Sequence, residues 1–81
     1  MGFERPAALA SDNIAMDILL NGEHRRVTEP CRVSDLLRAE GLGERRVAVE
    51  INGAIVPRSA HGQYLLHAGD QVEIVHALGG G

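Results

Sequence analysis

The residues best placed to do chemistry are the last three of the 81-residue chain, Gly79, Gly80 and Gly81. Glycine lacks Cβ, so a glycine tail reaches backbone angles closed to other residues and can enter a narrow active-site channel. A chain-terminal carboxyl titrates at roughly 3.3–3.7, so at neutral pH it is an anion and a poor electrophile. It can accept sulfur or an amine only after activation, for instance as an acyl-adenylate.

That activation must come from a partner, because the sequence carries no nucleotide-binding motif. It has neither a Walker-type Gly-Lys-Ser/Thr nor a glycine-rich loop between a strand and a helix. We therefore expect the chain to hold no cofactor of its own, with ATP used by the activating partner. From the tail alone, a terminus without function is an equally good interpretation, since a short motif is only a hypothesis.

Composition limits the other function classes. The length allows one small domain, and the net charge of −3 disfavours binding to a nucleic-acid backbone. All eight basic residues are arginine, and no apolar run is long enough to span a membrane. The start of the chain lacks the features of a signal peptide, and the single cysteine, Cys31, fits a reducing compartment. These features predict a cytoplasmic protein that binds neither nucleic acid nor membrane.

Hydrophobic periodicity predicts a hairpin, one helix and three further strands. Asn21-Gly22 and Asn52-Gly53 are strong hairpin-turn signals, and Gly41 is well placed to end the helix. The sequence does not decide whether Ser34 or one of the residues just before Val33 caps the start of the helix. In chain order, the predicted strands and helix cover residues 14–20, 23–28, 33–40, 46–51, 54–56 and 71–75.

This order predicts an α+β fold, a β-grasp of the ubiquitin-like type. A mixed sheet carries one main helix on one face, with the final strand inside the sheet and a flexible C-terminal glycine tail beyond it. We divide the chain into a disordered N-terminal extension (1–13), the β-grasp domain (14–76) and the flexible tail (77–81). The alternative for the extension is an added edge strand or short helix that folds back.

Several stretches together resemble the ThiS family, the sulfur carriers of thiamine biosynthesis. The resemblance begins at Met16 and runs to Gly81. Two features depart from the family pattern: the N-terminal extension, and the Pro30–Arg32 segment where a small hydroxyl residue is common. The matching stretches are Asn21–Glu23, Val33–Leu37, Val47–Gly53, Ile55–Ser59, Gly69–Val75 and the terminal glycines.

The resemblance implies a mechanism in which the chain is a protein substrate and has no catalytic residue. A ThiF-like adenylyltransferase adenylates the Gly81 carboxylate, and a cysteine desulfurase system supplies persulfide sulfur that converts it to a thiocarboxylate. Thiazole synthase then takes the sulfur for the thiazole of thiamine. Gly79 and Gly80 are expected to thread into the partner's active site, and the expected partner contacts are Val75, His76 and Leu78.

Two other classes of function share the fold and the tail. One is a carrier like the small subunit of molybdopterin synthase, which the Val56–Ser59 match disfavours; the other is a ubiquitin-like modifier that forms isopeptide bonds.

Cys31 as a persulfide donor is the less favoured interpretation of a lone thiol. The four histidines lack metal-ligand spacing, so no metal is expected. Arg25 and Glu40 are predicted to be solvated surface charges.

Overall fold

The computed structural model describes residues 14–76. The predicted extension over 1–13 and the predicted tail over 77–81 lie outside the described residues. Elements appear in the predicted order, with a 3-10 turn at Arg58–Ala60 after the fourth strand. The bounds are β1 Ala15–Leu20, β2 Glu23–Thr28, α1 Val33–Ala39, β3 Val47–Ile51, β4 Ala54–Val56 and β5 Gln71–His76.

The last strand lies in the middle of the sheet. The strand order is β2-β1-β5-β3-β4, so β5 is hydrogen-bonded on both sides. It runs parallel to β1 and antiparallel to β3, while both hairpins are antiparallel. A mixed five-stranded sheet with one helix and a central final strand is the β-grasp, which confirms the predicted fold class.

Both hairpin turns have the backbone that their sequences predict. The φ angles are 51° at Asn21 and 87° at Gly22, and 53° at Asn52 and 88° at Gly53. Asparagine and glycine are the residues that tolerate positive φ at the two central positions of a type I′ turn. The turn residues therefore determine the register of both hairpins.

Helix α1 has specific hydrogen bonds at both ends. At its start, the Asp35 carboxylate accepts a hydrogen bond of 2.9 Å from the backbone N–H of Arg32, so the helix begins at Val33 and Ser34 is not its cap. At its end, Gly41 takes a positive φ of 77°. The N–H groups of Gly41 and Leu42 donate to carbonyls of the last turn, in a Schellman arrangement.

The core lies between α1 and one face of the sheet. Its largest fully buried side chains are Ile18, Val33, Leu36, Val49 and Val72. Apolar residues at alternate strand positions and at helical spacing in α1 therefore face each other, as the two periodicities predict. Each such side chain contributes about 1.5–3 kcal/mol when it is fully buried. A seven-residue helix would not be stable alone, so this contact holds it in place.

One charge pair differs from the sequence prediction. Arg25 on β2 and Glu40 at the end of α1 form an ion pair across the hairpin and helix, and neither is fully solvated. The prediction of a solvated strand-end charge at Arg25 and a solvated helix-face charge at Glu40 did not include this contact, because residues fifteen apart in sequence are brought together by the packing of α1 on the sheet. Among residues 14–76, no helix is long and apolar enough to cross a membrane.

Candidate functional site

The candidate site is the C-terminal end of β5, from which the chain continues to the glycines. Val75 and His76 are the last two described residues, and both are exposed, Val75 with a relative accessibility of 58%. On β3, Val75 is paired with Ala48 and His76 with Val47. The other predicted site residues, Leu78, Gly79, Gly80 and Gly81, lie outside the described residues.

The two hairpin asparagines hold β5 in position. Asn21 Oδ1 accepts a 2.8 Å hydrogen bond from the backbone N–H of Ile74, and Asn52 Oδ1 accepts one of 2.9 Å from Gln71. The backbone N–H groups of both asparagines also donate to carbonyls of β5. Each turn thus supplies a side-chain acceptor to the strand that carries the tail.

A buried carboxylate organises the start of β5. Asp70 is buried, and its Oδ2 accepts a 2.8 Å hydrogen bond from the N–H of His67, while Oδ1 accepts one of 3.0 Å from Asn52 Nδ2. The carbonyl of Asp70 accepts from the N–H of Leu19. Because both carboxylate oxygens have donors, Asp70 is a structural acceptor that closes the turn before β5.

Within residues 14–76, no element covers the face of the sheet away from α1, and we call this the open face. Glu50 on β3 lies directly opposite Glu73 on β5. Neither carboxylate forms an ion pair or a side-chain hydrogen bond within residues 14–76. Ile55, paired with Glu50 on its other side, is 61% exposed. The strand positions next to Val75 therefore combine an unneutralised acidic pair with exposed apolar surface.

A small concavity of about 250 Å³ lies at the same end of β5. It is lined by the first hairpin and by the strand end, including Asn21, Arg25, Ile74 and His76. His76 therefore borders a recess, in addition to being exposed. A partner side chain inserted there would touch β5 directly before the tail begins.

Cys31 is not part of this site. It is only 6% exposed, and its thiol lies in the core before α1. Burial raises the pKa of the Cys31 thiol, and the Asp35 carboxylate raises it further. A thiol with a raised pKa is protonated at neutral pH and is a weak nucleophile. The structure thus gives no support to Cys31 as a sulfur donor.

The histidines are dispersed, with one in the interior. His61 is buried, and its Nε2 lies 3.1 Å from the carbonyl oxygen of Val56. His24, His67 and His76 are exposed. Within residues 14–76, no three acidic, histidine or cysteine side chains come together in a way that could hold a metal ion. The burial of His61 was missed at the sequence level, because its partner is a backbone carbonyl without a sequence signature.

The topology and the exposed end of the central strand define a ubiquitin-like β-grasp protein. Comparison with protein families identifies it further. The model of the ThiS family matches residues 18–81, which is most of the chain. The chain belongs to the ThiS family.

The similar proteins include a solved structure, a thiazole synthase and an uncharacterized protein. The solved structure of the thiamine biosynthesis protein ThiS from Geobacter metallireducens is 33% identical, with a TM-score of 0.71, and the match covers 82% of this chain and 100% of that one. A thiazole synthase of Paramagnetospirillum magneticum is 42% identical over 66 residues, which is 82% of this chain. The uncharacterized protein ycf40 of Porphyra purpurea is 32% identical over 69 residues, or 85% of this chain and 97% of that protein.

The thiazole synthases are much longer than this chain. The match spans only 20% of the Paramagnetospirillum protein, and the same fraction of a second thiazole synthase, from Magnetococcus marinus, which is 41% identical. A segment similar to this chain therefore forms part of longer proteins that are named thiazole synthase.

Proposed function

We propose that this chain is a sulfur carrier of thiamine biosynthesis, with the Gly81 carboxylate as the group that carries sulfur. The observation that carries the proposal is the family match, which extends through residue 81 and so includes the domain and the glycines together. The similar solved structure, a thiamine biosynthesis protein, supports the same pathway. In this proposal the chain is a recycled protein substrate in the cytoplasm and not an enzyme.

The proposed chemistry follows from the poor reactivity of a carboxylate. A ThiF-like adenylyltransferase joins the Gly81 carboxylate to the α-phosphate of ATP and releases pyrophosphate. The acyl-adenylate has a good leaving group, AMP, which persulfide sulfur from a cysteine desulfurase system displaces. A thiol then attacks the donor's sulfur in the resulting acyl disulfide, so that a disulfide forms between thiol and donor and a thiocarboxylate leaves. The thiocarboxylate is ionised at neutral pH and more nucleophilic than the carboxylate.

The domain must deliver this group to an active site that lies close by. Gly81 is five residues beyond His76, and an extended chain spans at most about 3.3–3.6 Å per residue, or roughly 18 Å in total. A partner that holds the Gly81 carboxylate must therefore lie against the end of β5. We propose that its surface contacts Val75, His76 and Leu78, while Gly79 and Gly80 pass through the channel.

We propose thiazole synthase as the acceptor of the sulfur. The support is that two thiazole synthases contain a segment 41–42% identical to this chain. Domains that act in succession gain from being linked, since linkage raises their effective concentration. When the carrier and the acceptor are separate chains, the carrier needs a surface on which the acceptor docks. The open face beside Val75 is the candidate for this surface.

Intact-protein mass spectrometry tests the central claim. The full chain is incubated with a ThiF-like adenylyltransferase, ATP and a persulfide source, and the expected product is heavier by the replacement of one oxygen by sulfur, localised to Gly81 by fragmentation. Deletion of Gly81 shortens the tail by one residue, and amidation of the Gly81 carboxyl removes the acceptor, so neither variant should gain sulfur. Sulfur acceptance by the amidated chain would refute the assignment of Gly81.

Gly80→Val should block passage of the tail without changing the melting temperature. Gly62→Val is a matched control, because Gly62 has a backbone that other residues adopt and open space around an added Cβ. If the adenylyltransferase modifies a control carrier but not this chain, the carrier proposal fails. Covalent adducts of the chain with other proteins on denaturing gels would then favour the ubiquitin-like modifier.

A further inference from the structure

A second concave surface lies between α1 and the 3-10 turn. It has a volume of about 700 Å³, and we call it the arginine cleft. It shares no lining residue with the concavity beside His76. The lining side chains used below are Ser34, Leu37, Arg38, Arg45, Arg58 and His61.

The arginine cleft is basic in a protein that is acidic as a whole. Three of the eight arginines of the chain line it, against a single acidic residue, Glu44, whereas the net charge of the chain is −3. Concave surfaces lined by one sign of charge concentrate the opposite ion. The charges that line the cleft therefore favour the binding of an anion there.

Two of these guanidinium groups have no partner in the part of the chain that the structure describes. Arg45 and Arg58 form no ion pair and no side-chain hydrogen bond within residues 14–76, whereas Arg25 and Arg26 are each paired with a carboxylate. Arg38 has only a 3.5 Å contact with Asp35. Among the described residues, none competes with a ligand for the donors of Arg45 and Arg58.

The base of the cleft is joined to its surroundings by hydrogen bonds and includes a polar atom with no partner in residues 14–76. His61 is 8% exposed, and its Nε2 must carry the proton because the carbonyl of Val56 can only accept. Its Nδ1 has no hydrogen-bond partner in the described part of the chain. The carbonyl of His61 accepts from the N–H of Ser34 at 2.9 Å, which joins the turn to α1.

The geometry points to a small phosphorylated molecule as the ligand, and we propose that the arginine cleft binds one. A guanidinium presents paired donors that match two phosphate oxygens, so Arg45 and Arg58 hold the phosphate group. The volume falls in the range of small-molecule sites, about 300–1,000 Å³, and exceeds what a bare phosphate ion needs. The side chains of Leu37 and His61 then support the organic part of the ligand.

The test is a nuclear magnetic resonance titration of the full chain labelled with ¹⁵N, with glycerol 3-phosphate as the probe and sodium chloride at equal ionic strength as the reference. Saturable shifts are expected at the side-chain Nε–H groups of Arg45 and Arg58 and at the imidazole of His61, but not at Arg26. Shifts that rise linearly and equally at all arginines would show only general screening and overturn the proposal.

Paired variants distinguish binding of the probe in the cleft from a general effect of the protein's charge on binding. Arg58→Gln should weaken binding of the probe by about tenfold, because a charge-assisted pair of hydrogen bonds is lost. Arg46→Gln removes the same charge from a residue that does not line the cleft, and should leave the dissociation constant unchanged. Equal weakening by both variants would overturn the proposal.

A third titration identifies the source of the anion. A hexaglutamate peptide is added under the same conditions. If it saturates the cleft resonances at lower concentration than glycerol 3-phosphate, the cleft is a docking site for an acidic protein segment, and the small-molecule proposal is wrong. Neither result bears on sulfur acceptance at Gly81, which the mass measurement tests separately.

Discussion

The two faces of the sheet differ in how their side chains are used. On the face covered by α1, the buried side chains of β1, β3 and β5 are all apolar. On the open face, Glu50 and Glu73 lie opposite each other with no cation paired to them in residues 14–76, and Ile55 and Val75 are exposed. The covered face explains why the chain folds, whereas the open face holds a like-charge pair that opposes folding.

This difference indicates which residues are available for function. A like-charge pair directly across two strands costs a fraction of a kcal/mol, and the described part of the fold offers it no cation. We propose that a partner supplies this cation when it covers Val75 to reach the tail. Substitutions on the covered face should therefore change stability, and substitutions on the open face should change partner-dependent sulfur acceptance.

The largest change in stability is expected on the covered face. Leu36→Ala removes a fully buried side chain of α1 and should lower the free energy of unfolding by about 2–5 kcal/mol. Leu65→Ala makes the same chemical change at an exposed position and should cost well under half as much. Urea denaturation followed by circular dichroism measures both. Similar losses for the two variants would contradict the assignment of the core.

The largest change in function is expected on the open face. Val75→Asp should reduce kcat/KM for adenylation of the chain by about tenfold, because it places a charge in the proposed partner contact. Ile14→Asp is the matched control, since Ile14 is also exposed, at 53%, but precedes β1 and so lies at the opposite end of the parallel strands β1 and β5. A steady-state pyrophosphate-release assay compares them, and equal loss in both variants would remove Val75 from the contact.

An intermediate effect is expected where the hairpin turns hold β5. Asn21→Gly keeps a backbone that tolerates positive φ but removes the acceptor of the Ile74 N–H, at a cost of about 1 kcal/mol. Hydrogen exchange should then be faster at the amide of Ile74 in this variant, and at that of Gln71 in Asn52→Gly. Unchanged protection at either amide would show that the side-chain hydrogen bond contributes nothing there.

The smallest effect is expected at the acidic pair, and its sign is opposite. Glu73→Gln should raise the free energy of unfolding by about 0.2–1 kcal/mol, because it removes the repulsion with Glu50. The gain should disappear in 1 M sodium chloride, where the Debye length is about 3 Å. Glu23→Gln, opposite Leu20, should show no such gain. A loss of stability in Glu73→Gln would mean that the pair is not repulsive.

The sequence predicted local features of the fold well and distant contacts poorly. The order of elements, both Asn-Gly turns and the Gly41 stop depend on neighbouring residues, and the structure confirms them. The hydrogen bond from Ile74 to Asn21 joins residues 53 apart in sequence, and no local sequence pattern predicts it. For the same reason the Arg25–Glu40 ion pair was missed, since it exists only once α1 packs on the sheet.

The candidate site was predictable in one part only. The alternation of β5 placed Val75 on the outside, and the structure confirms its exposure. The acidic pair depends on the register between β3 and β5, which the sequence does not specify, since these strands are joined by a long connection. The roles of Leu78 and of the three terminal glycines stay predictions.

The central position of β5 also has a mechanical consequence. A partner that pulls on the tail loads β5 along its own axis, between a parallel neighbour and an antiparallel one. The hydrogen bonds on both flanks, together with those from Asn21 and Asn52, then resist the force at the same time and not one after another. Because these hydrogen bonds must break together, we expect the domain to resist unfolding when its tail is pulled.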